Sequence, residues 1–303
     1  MTEVMDPVAP ATAASAIPAG ARPVNTRGAT LRALYIIWYR DVLRYYRDRW
    51  RLLASLAQPI LFLLVFGTGL SSSLRGATAG AAGSIFSGGL KYQQFIYPGI
   101  IGMAVLFTAI FGAMSIVWDR EFGFLKEVLV APINRSAVAV GKTLGGATQA
   151  MLQGLIILVL APLVGVTLTW QGVLELIPLI FVYSFALSAL GVAVAARMRS
   201  MQGFQVVMNF LMMPIFFLAG ALFPLQGLPV WMTVLTRLDP ASYGIDPLRR
   251  TVLGAAGVPN SVLDRLGLTL FGNTLAIWTE EVMLLGFGFV MLALAIRSFQ
   301  HRD

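Results

Sequence analysis

Residues 118–143 read WDREFGFLKEVLVAPINRSAVAVGKT. Acids, bases, two Phe and a Pro gather here in a chain that is otherwise mostly apolar, and the stretch ends in Gly-Lys-Thr, the ending of a phosphate-binding loop. If the loop is real, the chain carries its own nucleotide fold. If not, a charged connector interrupts a membrane protein. The loop requires G-x-x-x-x-G-K-[ST] after a strand and before a helix. Here Ser136 stands where the first Gly belongs, and Thr143 leads straight into an apolar run. The residues before it have a helical pattern. Trp118, Phe122, Leu125 and Leu129 recur at i, i+4, i+7 and i+11 and share one face. Arg120 and Glu127 lie opposite, and Pro132 stops the run. The stretch therefore predicts a short amphipathic helix over 118–131, its Trp-Phe-Leu-Leu face packed beneath a bundle and its charges toward the cytosol. Lys142 reads as an interfacial anchor.

The rest of the chain supports the membrane reading. Of 303 residues, 57% are hydrophobic and only 12% charged, and the mean hydropathy is +0.78. A soluble domain carries about 25% charged residues. The absence of Cys excludes disulfides and thiolate chemistry, and the single His, His301, excludes histidine-based catalysis. The net charge of +8 reads as basic residues gathered on the cytoplasmic side, not as a nucleic-acid surface. Residues 1–27 read as a disordered cytoplasmic tail. The Ala- and Pro-rich residues 1–25 lack the basic and apolar regions of a signal peptide.

A spanning helix needs about 20 apolar residues. Six such runs occur, at about 52–70, 95–117, 143–162, 173–196, 204–223 and 277–296. Pro59, Pro98, Pro178 and Pro214 fall inside them and predict kinks tolerated within a bundle. With six spans, 16 of the 22 Lys and Arg fall on the side that holds both termini, which places the termini in the cytoplasm. Residues 118–135 then form a cytoplasmic connector and 224–276 an external segment. Before the first run, residues 28–51 make an amphipathic helix. Arg40, Arg44, Arg47 and Arg51 fall on one stripe, and Leu31, Tyr35, Trp38, Val42 and Tyr45 centre on the opposite face. Such a helix lies in the membrane interface, with Arg reaching lipid or a cytosolic partner.

Four stretches together resemble a known family. They are QPILFLLVFGTGL (58–70), REFGFLKEVLVAPINR (120–135), NFLMMPIFFLAGALFPLQGLP (209–229) and LDPASYGIDPLRR (238–250). Over residues 30–300 the chain resembles the membrane subunit of type-2 ABC exporters, the ABC-2 type permeases, and most of all the daunorubicin-resistance-type branch. The resemblance implies an all-α membrane domain over 52–303 with six spans and short external re-entrant helices over 224–250. It implies a coupling helix over 120–132 that docks on a separate ATPase through Arg120, Glu121, Phe122, Gly123, Phe124, Leu125, Lys126, Glu127 and Pro132. The interfacial helix, with Trp38, Arg40, Arg44, Arg47 and Arg51, would touch the same ATPase. Two permeases, identical or paralogous, and two ATPases make the transporter. ATP and Mg are bound by the partner and no cofactor by this chain. The second and fifth spans would face the pathway, which nominates Phe107, Phe111, Asn209, Met212, Met213 and Phe216. Met and Phe suit a greasy substrate such as a drug, lipid or glycolipid.

Independent reasoning agrees with an externally powered transporter in the cell membrane. Span centres are almost free of ionisable groups, unlike ion-driven carriers. Two other classes compete. A lipid-modifying membrane enzyme would cluster acids, and Asp239 and Asp246 are seven apart, but Pro240 and Pro247 interrupt a shared helix face. They read as loop caps beside Arg237, Arg249 and Arg250. A channel would need a polar lining that these spans lack.

Overall fold

The computed structural model describes residues 26–76, 91–122, 134–225, 227–270 and 273–300, and it is mostly helical. Helix α1 is Thr26–Arg47 and α2 is Arg49–Gly76. Helix α3 (Tyr92–Gly112) and α4 (Met114–Glu121) abut at Ala113. Next come α5 (Arg135–Val159), a 3-10 turn at Ala161–Val164, α6 (Trp170–Ala195) and α7 (Met201–Leu218). Three shorter helices follow, α8 (Val230–Leu238), α9 (Ser242–Ala255) and α10 (Asn260–Leu266). A two-residue antiparallel ribbon pairs Thr269 with Thr274, and α11 (Ile277–Gln300) ends the described chain.

Among the described residues, four helical stretches are long and apolar enough to cross a membrane: Tyr92–Glu121, Trp170–Ala195, Met201–Leu218 and Ile277–Gln300. A fifth arises if α1 and α2, bent by 69°, count as one span. The run expected at 143–162 is helix α5, which starts earlier and is more polar. Lys142, Thr143, Gln149 and Gln153 dilute its hydropathy, yet all four are buried against neighbouring helices. The Pro expected to kink the spans sit inside α2, α3, α6 and α7, and each helix runs through. Pro247 also sits inside a helix, α9, so the expected interruption there does not occur.

Helix α3 is the axis of the bundle. From Phe95 to Leu106 every residue is buried, with α2, α5, α6 and α9 packed around it. Small residues set how close the neighbours come. A Cβ added at Gly99 would lie 2.3 Å from the Ala221 carbonyl oxygen, and one at Gly244 of α9 would lie 2.1 Å from the Tyr183 ring of α6. Only glycine allows α9 to enter the bundle at this depth, so residues 242–250 are all buried. Close backbone approach of this kind replaces the hydrophobic drive that is weak between helices in lipid. Tyr97 adds a polar tie, its hydroxyl donating to the Ile157 carbonyl at 2.8 Å.

Helix α1 lies along α5 by the same device. Cβ atoms at Gly141 and Gly145 would meet Ile37 and Asp41, each at 3.1 Å. The Gly-Lys-Thr of the opening stretch is thus the middle of a helix, and its glycine is a seat for α1.

Candidate functional site

Two clusters of buried charge lie toward opposite ends of α3. At the α1 end, Lys142 is 4% exposed. Its ammonium donates to Asp119 Oδ2 at 2.9 Å, to Ser115 Oγ at 3.0 Å and to Asp41, whose nearer oxygen is at 3.1 Å. A lysine has three donors, and here each has an acceptor. Arg40 donates to Asp119 Oδ2 at 3.1 Å, so two carboxylates face two cations. Burial without such compensation would cost several kcal/mol per ion. The interfacial-anchor reading of Lys142 is therefore corrected: its side chain points into the bundle because two acids wait there.

The three residues that end α4 each tie it to different elements. Asp119 holds α5 and α1 as just described. Arg120 donates to the carbonyls of Ala196, at 3.1 Å, and Met198, just past the end of α6. Glu121 accepts from the Met201 amide at 3.0 Å, at the first turn of α7, where a carboxylate complements the helix dipole. Residues 123–133, which follow this junction, lie outside the described residues. With them go the expected roles of Gly123, Phe124, Leu125, Lys126, Glu127 and Pro132.

Of the face expected to pack inward, the first two residues are described and both are exposed, while Leu125 and Leu129 lie outside the described residues. Trp118 is 48% and Phe122 67% exposed, their rings 5.7 Å apart, while Asp119 is buried. The apolar face was expected to pack inward. The ion pairs hold the opposite face inward instead.

Helix α1 packs along α5 by one side, and Tyr45 of the expected apolar stripe lies on it. Its buried residues are Ile37, Asp41 and Tyr45, whereas Leu31 and Tyr35 of the expected apolar stripe are exposed. Trp38 donates from its indole to Thr148 Oγ1 at 3.0 Å, and the Tyr45 hydroxyl donates to Gln153 Oε1 at 2.7 Å. Of the expected basic stripe, Arg40 joins the ion cluster, and Arg44 and Arg47 are exposed. The helix breaks at Asp48, so Arg51 belongs to α2, and its side chain lies outside the described residues.

Between the α1–α2 elbow and α3 lies a cavity of about 650 Å3. Phe107 and Phe111 line it, as do Gln58 of α2, Thr108 of α3 and Gln205 of α7. The other candidates for a pathway do not join them. Met212 and Phe216 are buried in the core, and Met213 is 59% exposed on the outside of α7 with Asn209.

At the other end, Arg249 is fully buried. It stacks 4.3 Å above the Phe95 ring and donates to the carbonyls of Gly220 and Ala221, capping the end of α7 from α9. Arg250 pairs with Asp246 at 3.0 Å and Glu280 at 2.6 Å, which joins α9 to α11. Asp246 also accepts from the Leu268 amide at 2.8 Å. The loop-cap reading holds for Asp239, which accepts from the Ala241 amide at 3.0 Å, but Asp246 is a mid-helix partner of Arg250. Burial pushes the Asp239 carboxyl up to about 8, against the opposing pull of that amide. The sequence reading missed both clusters, although the Asp246 and Arg250 spacing of four was a usable signal.

The ABC-2 type transporter family matches residues 32–253, from α1 through most of α9. Nodulation protein J of Rhizobium leguminosarum bv. trifolii is 29% identical over 228 residues, which cover 75% of this chain and 80% of that protein. Nodulation protein J of Rhizobium meliloti (strain 1021) is 26% identical over 229 residues, 75% and 81% of the two chains. The putative transport permease ycf38 of Cyanophora paradoxa is 24% identical over 221 residues, 72% and 73% of the two. A match across most of the chain, on a bundle with several membrane-length apolar helices, is decisive: this chain belongs to the ABC-2 type transporter family, as a multi-pass transport permease subunit of an ABC transporter.

Proposed function

We propose that this chain is the membrane subunit of an exporter driven by a separate ATPase, which binds ATP and Mg and is present in two copies. A second permease, the same chain or a close paralogue, completes the pathway. The protein resides in the cell membrane with both termini in the cytoplasm. Helices α2, α3 with α4, α5, α6, α7 and α11 make six spans within a domain over 52–303. Helix α1 lies at the interface on lipid, and α8 with α9 forms the external re-entrant segment; the expected tail falls largely outside the described residues. Drug, lipid or glycolipid is the cargo, moved outward from the cytoplasm or inner leaflet.

One observation carries the reading. Immediately before 123–133, consecutive side chains fasten α4 to α1, α5, the end of α6 and the start of α7. A push delivered to that segment by a nucleotide-driven partner is shared among four helices at once. Exposed apolar side chains on α2 (Leu61, Leu64, Val65) and α7 (Val206, Phe210, Met213) suit lipid and a second permease.

The test is purification of the chain with its genomic neighbours and assay of ATP hydrolysis and transport. An ATPase subunit is expected to co-purify. Substitution of Glu121, Phe122 or Gly123 by Ala, Ala and Val should abolish ATPase assembly or transport while the protein still inserts. Unchanged transport in all three variants would defeat the coupling assignment, and absence of any ATPase would defeat the exporter reading.

A further inference from the structure

We infer that the cavity between the α1–α2 elbow and α3 is the loading site for the cargo, and that the cargo is a slender amphipath with an uncharged, hydrogen-bonding head. This rests on the exporter reading above and adds the place and the chemistry.

The shape argues for slenderness. The lining follows α3 and α4 from Met103 to Trp118, which at 1.5 Å per residue is about 22 Å. A volume of 650 Å3 over that length leaves a mean cross-section of about 30 Å2. That admits an extended alkyl chain or a file of rings, not a globular solute. The volume is within the roughly 300–1,000 Å3 of small-molecule sites. The stretch from Met103 to Phe111 is mostly apolar. Polar groups gather toward α4, where Ser115, Gln149 and Asp41 stand.

The charge in the wall argues for a neutral head. Asp41 is neutralised by Lys142 at 3.1 Å, and Lys142 and Arg40 also hold Asp119. The remaining lining charges, Arg44 and Asp48, have opposite signs and sit one helical turn apart. Summed over the wall these charges cancel, so a charged head meets no net counter-charge, and desolvating it would be costly. What the wall does offer is neutral. Among the described residues, Gln58, Thr108 and Gln205 line the cavity with no hydrogen-bond partner in the protein. An amide both donates and accepts, so these groups match hydroxyls and amides.

The experiment uses three photoreactive amphipaths with one diazirine-bearing alkyl tail and different heads: a glucoside, a trimethylammonium and a phosphate monoester. The full chain, purified with whatever subunits accompany it, is labelled in nanodiscs, and the adducts are mapped by mass spectrometry. The glucoside is expected to label the Met103–Phe111 wall at least fivefold more than either charged probe. Gln205→Glu places a bare carboxylate in the wall at an exposed position. It should lower glucoside labelling and raise trimethylammonium labelling, a change of rank that misfolding would not produce. Equal or stronger labelling by a charged probe would overturn the inference. So would adducts confined to the outer face of α7 at Phe210 and Met213, or an unmoved rank in Gln205→Glu. If the cavity labels as expected but no ATPase accompanies the chain, the exporter reading falls and the site stands. If an active ATPase is present and the cavity stays unlabelled, the site alone falls.

Discussion

Replacing Lys142 by Met removes the cation held between Asp119 at 2.9 Å and Asp41 at 3.1 Å. Each contact is worth about 5 kcal/mol at an effective dielectric near 20, before the cost of burial is subtracted. Arg40 remains, 3.1 Å from Asp119 and 3.8 Å from Asp41, but its side chain is 39% exposed and cannot follow both carboxylates inward. Two buried acids then share one partly solvated cation. Breaking a buried pair from one side costs about 3–5 kcal/mol, and we expect Lys142→Met in that range. Asp119→Asn should cost less, about 1–2 kcal/mol, because Lys142 keeps Asp41 and an amide still accepts its proton. The two should not add. With Asp119 already neutral, losing Lys142 strands one acid and not two, so the double variant should fall short of the sum by about 2 kcal/mol. The cycle can be read from reversible unfolding in mixed micelles at fixed protein concentration. Additivity within about 0.5 kcal/mol would refute the cluster as a unit.

Three other outcomes are expected. Gly141→Leu should lift α1 from α5, because even a Cβ would stand 3.1 Å from Ile37; the overpacking cost is about 1–3 kcal/mol, and Trp38 fluorescence should report loss of its bond to Thr148. Arg250→Met should destabilise by about 3–5 kcal/mol by removing the side chain that joins Asp246 of α9 to Glu280 of α11, read from reversible unfolding in mixed micelles; a loss below about 0.5 kcal/mol would count against it. Asp239 has its carboxyl raised from 3.8 to about 8, so the neutral form is favoured in the fold. Its contribution to stability is complete below about 4 and fades as pH rises through about 8, and Asp239→Asn should flatten that part of a stability-against-pH profile.

Much of the architecture is written in local pattern. Apolar runs mark the helices, Ser136 rules out the phosphate loop, and four distinctive stretches point to the family that the comparisons then show. What local pattern does not carry is partnership at distance. Asp41 and Lys142 are 101 positions apart, and Arg250 and Glu280 are 30 apart. Periodicity treats a charged residue as outward-facing, so it places Lys142 at the interface, reads Arg250 as a neighbour of loop caps, and gives Asp41 and Glu280 no partner. In α1 and α4 the acid that meets Lys142 lies on the buried side, beside apolar residues such as Ile37 and Val117. Glycine at 141 and 145 lets α1 lie close along α5 by that buried side.

The elbow at Asp48 has a mechanical consequence. Helix α1 has 22 residues and is about 33 Å long, and it leaves α2 at 69°. A turn of about 5° at the elbow would sweep its far tip through about 3 Å. Yet α1 is bolted to α5 along its length, by Ile37 over Gly141, Trp38 to Thr148 and Tyr45 to Gln153. The tip can swing only if α5 rocks with it. Small angular play at the pivot is thus geared into ångström-scale travel of a two-helix splint, and the bore of the cavity beside the pivot is set by the same angle.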